Sequence, residues 1–251
     1  MVHAQVQCVL EIFSKLIESV GGTLYLKGGA LRNILLEEDT VIPNDIDLQV
    51  ETENVSLFLK LLDILIASGT LKRIPHGNSD LPYSVLHVDR FEMTLPQWEA
   101  PIQVDLIFDE PVPDTIAGMI RGKIINGSLH SLTTANSTNI LQSLHDAKSH
   151  IIRVNPMIRK EMKHKAMTRY HVWRRVLKYL RNGWTLDMDH PANKDLPQWL
   201  RENGMAKPSC GHVFDADTYL NHCISTTPLD DWNREPEKSA ECPTCGVRDG
   251  S

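Results

Sequence analysis

Apolar residues recur at Val6, Val9, Leu10, Phe13, Leu16, Ile17 and Val20, the spacing of one face of a helix, and Gly21-Gly22 marks its end. The short run Thr23 to Leu26 (TLYL) predicts a strand, broken at Lys27-Gly28-Gly29, after which Ala30 to Leu36 predicts a short helix. Asp45 to Val50 (DIDLQV) alternates polar and apolar residues, the pattern of a strand with one face turned toward a site. Val55 to Ala67 (VSLFLKLLDILIA) predicts another helix, ended by Gly69. Strand-like pieces follow at 71–74, 83–88, 91–95 and 102–108. Beyond Pro111-Val112-Pro113 the pattern turns helical, at 114–119, 139–147 and 157–180, and 192–208 reads as loop and short helix. This order predicts an α+β (mixed α/β) fold with a small mixed sheet. A head covers residues 1–113, a helical region 114–205 and a small C-terminal module 206–251.

The chain has 251 residues, of which 41% are hydrophobic and 23% charged, enough apolar content for a packed core and for one domain plus a smaller unit. No apolar run approaches the roughly 18–20 residues of a membrane span. The N-terminal segment is interrupted by Gln7, Glu11, Lys15 and Glu18 and is not a signal-peptide core. A soluble, cytoplasmic protein is expected, with no membrane partner.

The net charge of −6 excludes a uniform nucleic-acid coat, but it is an average over unlike segments. Ten Lys and Arg fall between Arg153 and Arg181 against one acid, Glu161, so this segment carries +9 and the rest of the chain −15. A charge run is most often a solvated helix face. Here there are almost no acids for i, i+4 pairing, and attraction to phosphates or to the chain's own acidic surface remains. Arg169, Arg174, Arg175 and Lys178 are candidate contacts to a nucleotide or to RNA. Tyr170 and Trp173 have the spacing of core residues and the chemistry to stack on bases. His164 and His171 read as structural.

Asp45 and Asp47 lie two apart on a predicted strand and project to one face. Asp105 lies between Val104 and Leu106 in a second apolar strand (IQVDLIF). Neighbouring carboxylates repel and resist ionisation unless cations sit among them. Divalent ions remove that repulsion, activate an attacking hydroxyl and steady a leaving phosphate. Gly28-Gly29, between a strand and a helix, lets the chain approach a triphosphate closely and offers helix N–H groups, with Arg32 adding positive charge. Taken singly, an Asp-x-Asp on a strand is usually a solvated edge and a Gly-Gly pair a turn. Their order along the chain is what marks a site.

Leu26-Lys27-Gly28-Gly29-Ala30-Leu31-Arg32-Asn33, followed by Asn44-Asp45-Ile46-Asp47-Leu48, resembles the head of the polymerase-β-like nucleotidyltransferases. The nearest pattern is that of the poly(A) polymerase and tRNA CCA-adding branch, GGxVRD and then DxD. Ile124-Ile125-Asn126-Gly127, Asp146 to Arg153, Arg175 to Tyr179 and Gly183-Trp184 continue the resemblance more faintly into a neck-like region. Asn33 departs from the pattern, standing where the branch carries Asp. The base-reading acid–arginine pair of CCA-adding enzymes has no match at Thr168 to Val172. The resemblance implies Mg²⁺- or Mn²⁺-dependent transfer of NMP from an NTP to a hydroxyl, with an RNA 3′ end as a candidate acceptor. It also implies that Asp45, Asp47 and Asp105 hold the metals, that Gly28, Gly29 and Arg32 cradle the triphosphate, and that Asp105, as the third carboxylate ligand, helps to deprotonate the acceptor. Nucleotidylation of a protein would need the same carboxylates.

Four of the five cysteines lie after residue 209. Cys210-Gly211-His212 and Cys242-Pro243-Thr244-Cys245 have the spacing and ligand chemistry of a tetrahedral Zn²⁺ site, and one structural zinc is expected, with His222 and Cys223 as substitute ligands. Burial of the thiols without metal is the plainer alternative. The segment resembles the second half of a RING finger, with Val213-Phe214, Cys223-Ile224 and Trp232 as hydrophobic echoes. That resemblance implies a protein partner, and a second reading of the whole chain: an inert nucleotidyltransferase fold acting as a ubiquitin-type adaptor through its zinc tail.

Overall fold

The N-terminal apolar stripe forms helix α1 (Ala4–Ser19) in a computed structural model that describes residues 3–37, 43, 45–74, 88–108, 120–134, 139–154, 176–190 and 193. The His3 side chain accepts the Gln5 N–H at 3.3 Å and caps the first turn. There follow β1 (Thr23–Lys27), α2 (Gly28–Leu35), β2 (Asp45–Glu51), α3 (Val55–Ala67) and β3 (Leu71–Arg73). Next come β4 (Val88–Met93), β5 (Ile102–Ile107), β6 (Ile120–Ile125), β7 (Ser128–Thr134) and α4 (Ile140–Lys148). These elements make one unit. The described residues from Ser149 onward belong to a second, with the short parallel pair β8 (Ile151–Ile152) and β9 (Thr185–Leu186).

The first unit is built on a seven-stranded sheet in the order β3-β4-β5-β2-β1-β6-β7. Only β2 and β5 run parallel; every other pairing is antiparallel. The mixed α+β architecture expected from the order of elements is therefore present. Alternation along the central strands divides the sheet into unlike faces. Leu24, Leu26, Ile46, Leu48, Val104 and Leu106 are buried and share one hydrophobic core with Val9, Leu10, Phe13 and Ile17 of α1 and Phe58 and Leu62 of α3. The intervening positions on β1, β2 and β5 are Tyr25, Lys27, Asp45, Asp47, Gln49, Gln103 and Asp105. One face is the core and the other carries the chemistry.

Three elements differ from the sequence reading. Residues 91–95 do not start a separate strand: β4 runs without a break from Val88 to Met93, paired with β5 from Val88↔Ile107 to Met93↔Ile102. The charged pair Asp89-Arg90 is accommodated within β4 because Asp89 meets Arg73 at 3.7 Å and Arg90 faces the polar side. Helix α2 begins at Gly28, not Ala30, so the glycine pair is its first turn. Beyond residue 113, read as helical, β6 and β7 form a hairpin that extends the sheet. Its two-residue turn, Asn126 (φ 50°) and Gly127 (φ 76°), has the positive φ values of a type I′ turn. Gln7 of α1 donates to the Gly127 carbonyl at 3.2 Å, and a Cβ at Gly127 would collide with Glu11, so helix and hairpin fit only with glycine there.

In the second unit, Asn193 is fully buried. Its carboxamide oxygen accepts the Val154 N–H at 3.0 Å, and its nitrogen donates to the carbonyls of Ile152 (2.9 Å) and Asp187 (2.7 Å). Arg153 donates to Asp187 at 2.8 Å, which pulls that carboxyl below its usual range. Trp184 stacks on His150 and meets the Tyr179 ring edge-on. No helix among the described residues is long and apolar enough to cross a membrane.

Phe13 is fully buried at the centre of α1. Phe13→Ala is expected to destabilise the protein by about 3–5 kcal/mol through lost burial and the cavity left behind, measured as a shift in the urea unfolding midpoint.

Candidate active site

The parallel pairing of β2 with β5 sets Asp45 opposite Gln103 and Asp47 opposite Asp105. Directly paired residues share a face, so the three carboxylates converge: one oxygen from each of Asp45, Asp47 and Asp105 lies within 4.8 Å of the others. Asp45 and Asp47 are half-buried and Asp105 is 6% exposed. Two carboxylates at that spacing repel by roughly 3–4 kcal/mol at an effective dielectric constant of about 20. The arrangement therefore stands only with positive charge beside it.

Part of that charge comes from the neighbouring strand. Arg90 of β4 is registered opposite Asp105. Its Nε donates to Asp105 Oδ1 at 2.9 Å and an Nη donates to Oδ2 at 2.8 Å, a bidentate fork. Gln103 Nε2 adds a third bond to Oδ1 at 3.2 Å. The hydrogen bond to Asp105, aided by the negative charges of Asp105, Asp45 and Asp47, drives the guanidinium's pKa still higher despite its partial burial. On the far side of the carboxylates, Lys27 of β1 is registered opposite Asp47. The row Arg90–Asp105–Asp47–Lys27 thus crosses four adjacent strands.

The turn from β1 into α2 closes against the same cluster. Gly28 has φ +63°, and a Cβ there would strike the Asp47 carboxylate, so both the backbone conformation and the close approach require glycine. Lys27, the N-cap, makes no side-chain capping bond to the first turn of α2. Gly29 has ordinary φ; a Cβ on it would lie 3.5 Å from the Arg32 guanidinium, so Arg32 reaches back over the glycine turn. Asn33 is buried.

Farther along the polar face, Gln49 is 1% exposed and its Oε1 accepts no hydrogen bond among the described residues, while its Nε2 donates to Glu51 at 3.3 Å. Arg121 of β6 pairs with Glu51 and lies over the Tyr25 ring, 4.1 Å from its centroid. Burial, and then the nearby Glu51 charge, push the Tyr25 hydroxyl above its usual range.

The structure thus brings Asp45, Asp47, Asp105, Gly28, Gly29 and Arg32 into one region of the first unit. Lys178 is exposed in the second unit, where 176–181 is helical. Arg169, Arg174 and Arg175, and the expected zinc ligands Cys210, His212, Cys242 and Cys245, lie outside the described residues. Sequence reasoning missed Arg90, Gln49 and Gln103. Gln49 and Gln103 were findable, since each lies two positions from an aspartate on a strand and shares its face. Arg90 was not, because only the pairing of β4 with β5 places it on Asp105.

The donor set is all oxygen and multiply anionic, the chemistry that suits Mg²⁺ or Mn²⁺ rather than a soft metal. Fold and site together define a mixed α+β unit with a carboxylate cluster on the polar face of its sheet, and solved structures share this fold. A CCA-adding enzyme in complex with ATP is similar with a TM-score of 0.51 and 16% identity, over 80% of this chain and 44% of that one. A CCA-adding enzyme in apo form II has a TM-score of 0.51 and 13% identity, over 89% and 50%. A tRNA-processing enzyme in apo form I has a TM-score of 0.50 and 16% identity, over 80% and 48%. What is shared at these identities is the fold, and the match spans half or less of the length of these chains. No family model matches the chain, and no curated protein matches its sequence.

Gly28→Ala is expected to destabilise the fold by at least about 1–2 kcal/mol, the cost of a side chain in the left-handed region, with the displacement of Asp47 added. Gly29→Ala should stay within roughly 0.5–1 kcal/mol of the parent. Urea denaturation of the two variants side by side checks this contrast.

Proposed function

We propose that the chain is a Mg²⁺-dependent nucleotidyltransferase that moves NMP from an NTP to a hydroxyl acceptor, with an RNA 3′ end as the acceptor. The observation that carries this reading is the in-register convergence of Asp45, Asp47 and Asp105 beside the glycine turn that opens α2. The solved complex of a CCA-adding enzyme with ATP supports an NTP as donor, and the solved tRNA-processing enzyme of the same fold supports an RNA acceptor.

Asp45 and Asp47 would hold the divalent cation, which when bound offsets phosphate charge and polarises the reacting centre. The first turn of α2 presents Gly28 and Gly29 N–H groups to the triphosphate oxygens, and glycine keeps the backbone close enough to reach them. Arg32 adds positive charge over that turn. The acceptor oxygen bonds the α-phosphorus as the bond to the bridging oxygen of the β-phosphate breaks. Pyrophosphate leaves, and the hydroxyl proton passes to the carboxylate cluster. Positioning and electrostatics carry most of the acceleration in such transfers.

The expected result is incorporation of labelled NMP in the presence of Mg²⁺ or Mn²⁺, lowered by at least roughly 10²–10³-fold in Asp45→Asn and in Asp47→Asn. NTP binding with no transfer to RNA, protein or small hydroxyl acceptors would instead favour an inert binding protein.

For the C-terminal segment, ligand spacing supports one structural Zn²⁺ on Cys210, His212, Cys242 and Cys245. Elemental analysis of the full chain should find about one zinc per chain, lost in Cys242→Ser plus Cys245→Ser. No zinc would overturn the assignment, and two would mean a complete RING-type pair of sites.

A further inference from the structure

Asp105 belongs to the carboxylate cluster, yet its oxygens are already engaged. Oδ1 accepts from Arg90 Nε at 2.9 Å and from Gln103 Nε2 at 3.2 Å, and Oδ2 accepts from Arg90 at 2.8 Å. An ionised carboxylate offers about four lone-pair positions, and three are taken by donors fixed in the sheet. Arg90 does not reach in from a loop. Its backbone is locked opposite Asp105 by the β4–β5 ladder, and Gln103 precedes Asp105 by two residues on the same face. A bidentate, charge-assisted fork on a largely buried carboxylate is among the stronger polar contacts a protein makes.

We infer that Arg90 is a built-in counter-cation of the cluster: it holds Asp105 out of the metal's coordination shell, so the site takes one divalent cation, on Asp45 and Asp47. The inference rests on the metal-dependent reading above and narrows it. Arg90 and Asp105 cancel each other's charge, which leaves Asp45 and Asp47, side by side on β2, as the carboxylates a divalent ion would take. A second ion seeking Asp105 would have to displace a guanidinium that holds both Asp105 oxygens at 2.8–2.9 Å, and would strand that positive charge beside two metals. Arg90 is then a positioning residue: it fixes Asp105 as a neutralised wall of the site and limits the metal count.

The test is Mn²⁺ titration of the full chain, followed by electron paramagnetic resonance of the free ion, with circular dichroism to verify folding. The parent protein should bind one Mn²⁺ at the cluster, and Asp45→Asn plus Asp47→Asn should abolish it. The charge-neutral double variant Arg90→Gln plus Asp105→Asn should keep one Mn²⁺ with an affinity within about 100-fold of the parent. Loss of a first-sphere ligand would cost more than the roughly 10–100-fold expected for removing an outer partner. Folded Arg90→Gln, with Asp105 released, should gain a second Mn²⁺ that the double variant lacks. Two Mn²⁺ at the cluster of the parent, a loss of more than about 100-fold in the double variant, or a folded Arg90→Gln that still binds one would each overturn the inference. If Arg90→Gln does not fold, the parent count and the double variant decide. NMP transfer assayed in parallel separates the two readings: one bound Mn²⁺ without transfer defeats the nucleotidyltransferase proposal alone, and transfer with two bound Mn²⁺ defeats the Arg90 inference alone.

Discussion

Three carboxylates held within 4.8 Å of one another are the constraint to which the surrounding structure answers. Left alone they would spread apart or take up protons. They do not spread because each is fixed to a strand: the parallel β2–β5 ladder sets Asp47 opposite Asp105, and Asp45 follows from the two-residue period of β2. The charge is countered from within the same sheet by Arg90, whose position is set by the antiparallel β4–β5 ladder. The backbone thus supplies both the problem and part of its solution, and a divalent cation is a natural complement to what remains.

The same sheet explains why the site and the core do not compete. Strand alternation sends Ile46, Leu48, Val104 and Leu106 into a dry layer beneath α1 and α3, while Asp45, Asp47 and Asp105 stand on the opposite face. A one-residue slip of β2 would exchange the two sets, burying carboxylates among Phe13, Phe58 and Leu62. Burial of the apolar positions therefore fixes the register that aligns the acids. Gly28 ties a third element to this arrangement, since the turn into α2 passes so close to Asp47 that no side chain fits.

The second unit is organised differently. Its described part is held by a polar knot, with the Asn193 side chain bridging the backbone of Ile152, Val154 and Asp187 and Arg153 clamping the Asp187 carboxylate. One of the ten basic residues between Arg153 and Arg181 thus has a structural role. The net +9 of that segment is not all available for phosphate.

Much of the fold was legible because it rests on periodicity. α1, β1, β2, α3 and β5 lie where the 3.6- and 2-residue patterns place them, and the clustering of Asp45 with Asp47 follows from their spacing alone. The β6–β7 hairpin was legible in principle from Asn126-Gly127, a pair suited to two consecutive positive φ values, but Gly122 takes a buried position of β6 and weakens its apolar alternation. Local pattern says nothing of which strands become neighbours. That Asp105 joins Asp45 and Asp47, that Arg90 neutralises it, and that Gly28 lies against Asp47 depend on ladders between segments tens of residues apart. The sequence determined the elements and which face of each is polar, because those follow from the geometry of a single strand or helix. Only the tertiary structure decided the partners, because strand pairing is settled by burial summed over the whole sheet.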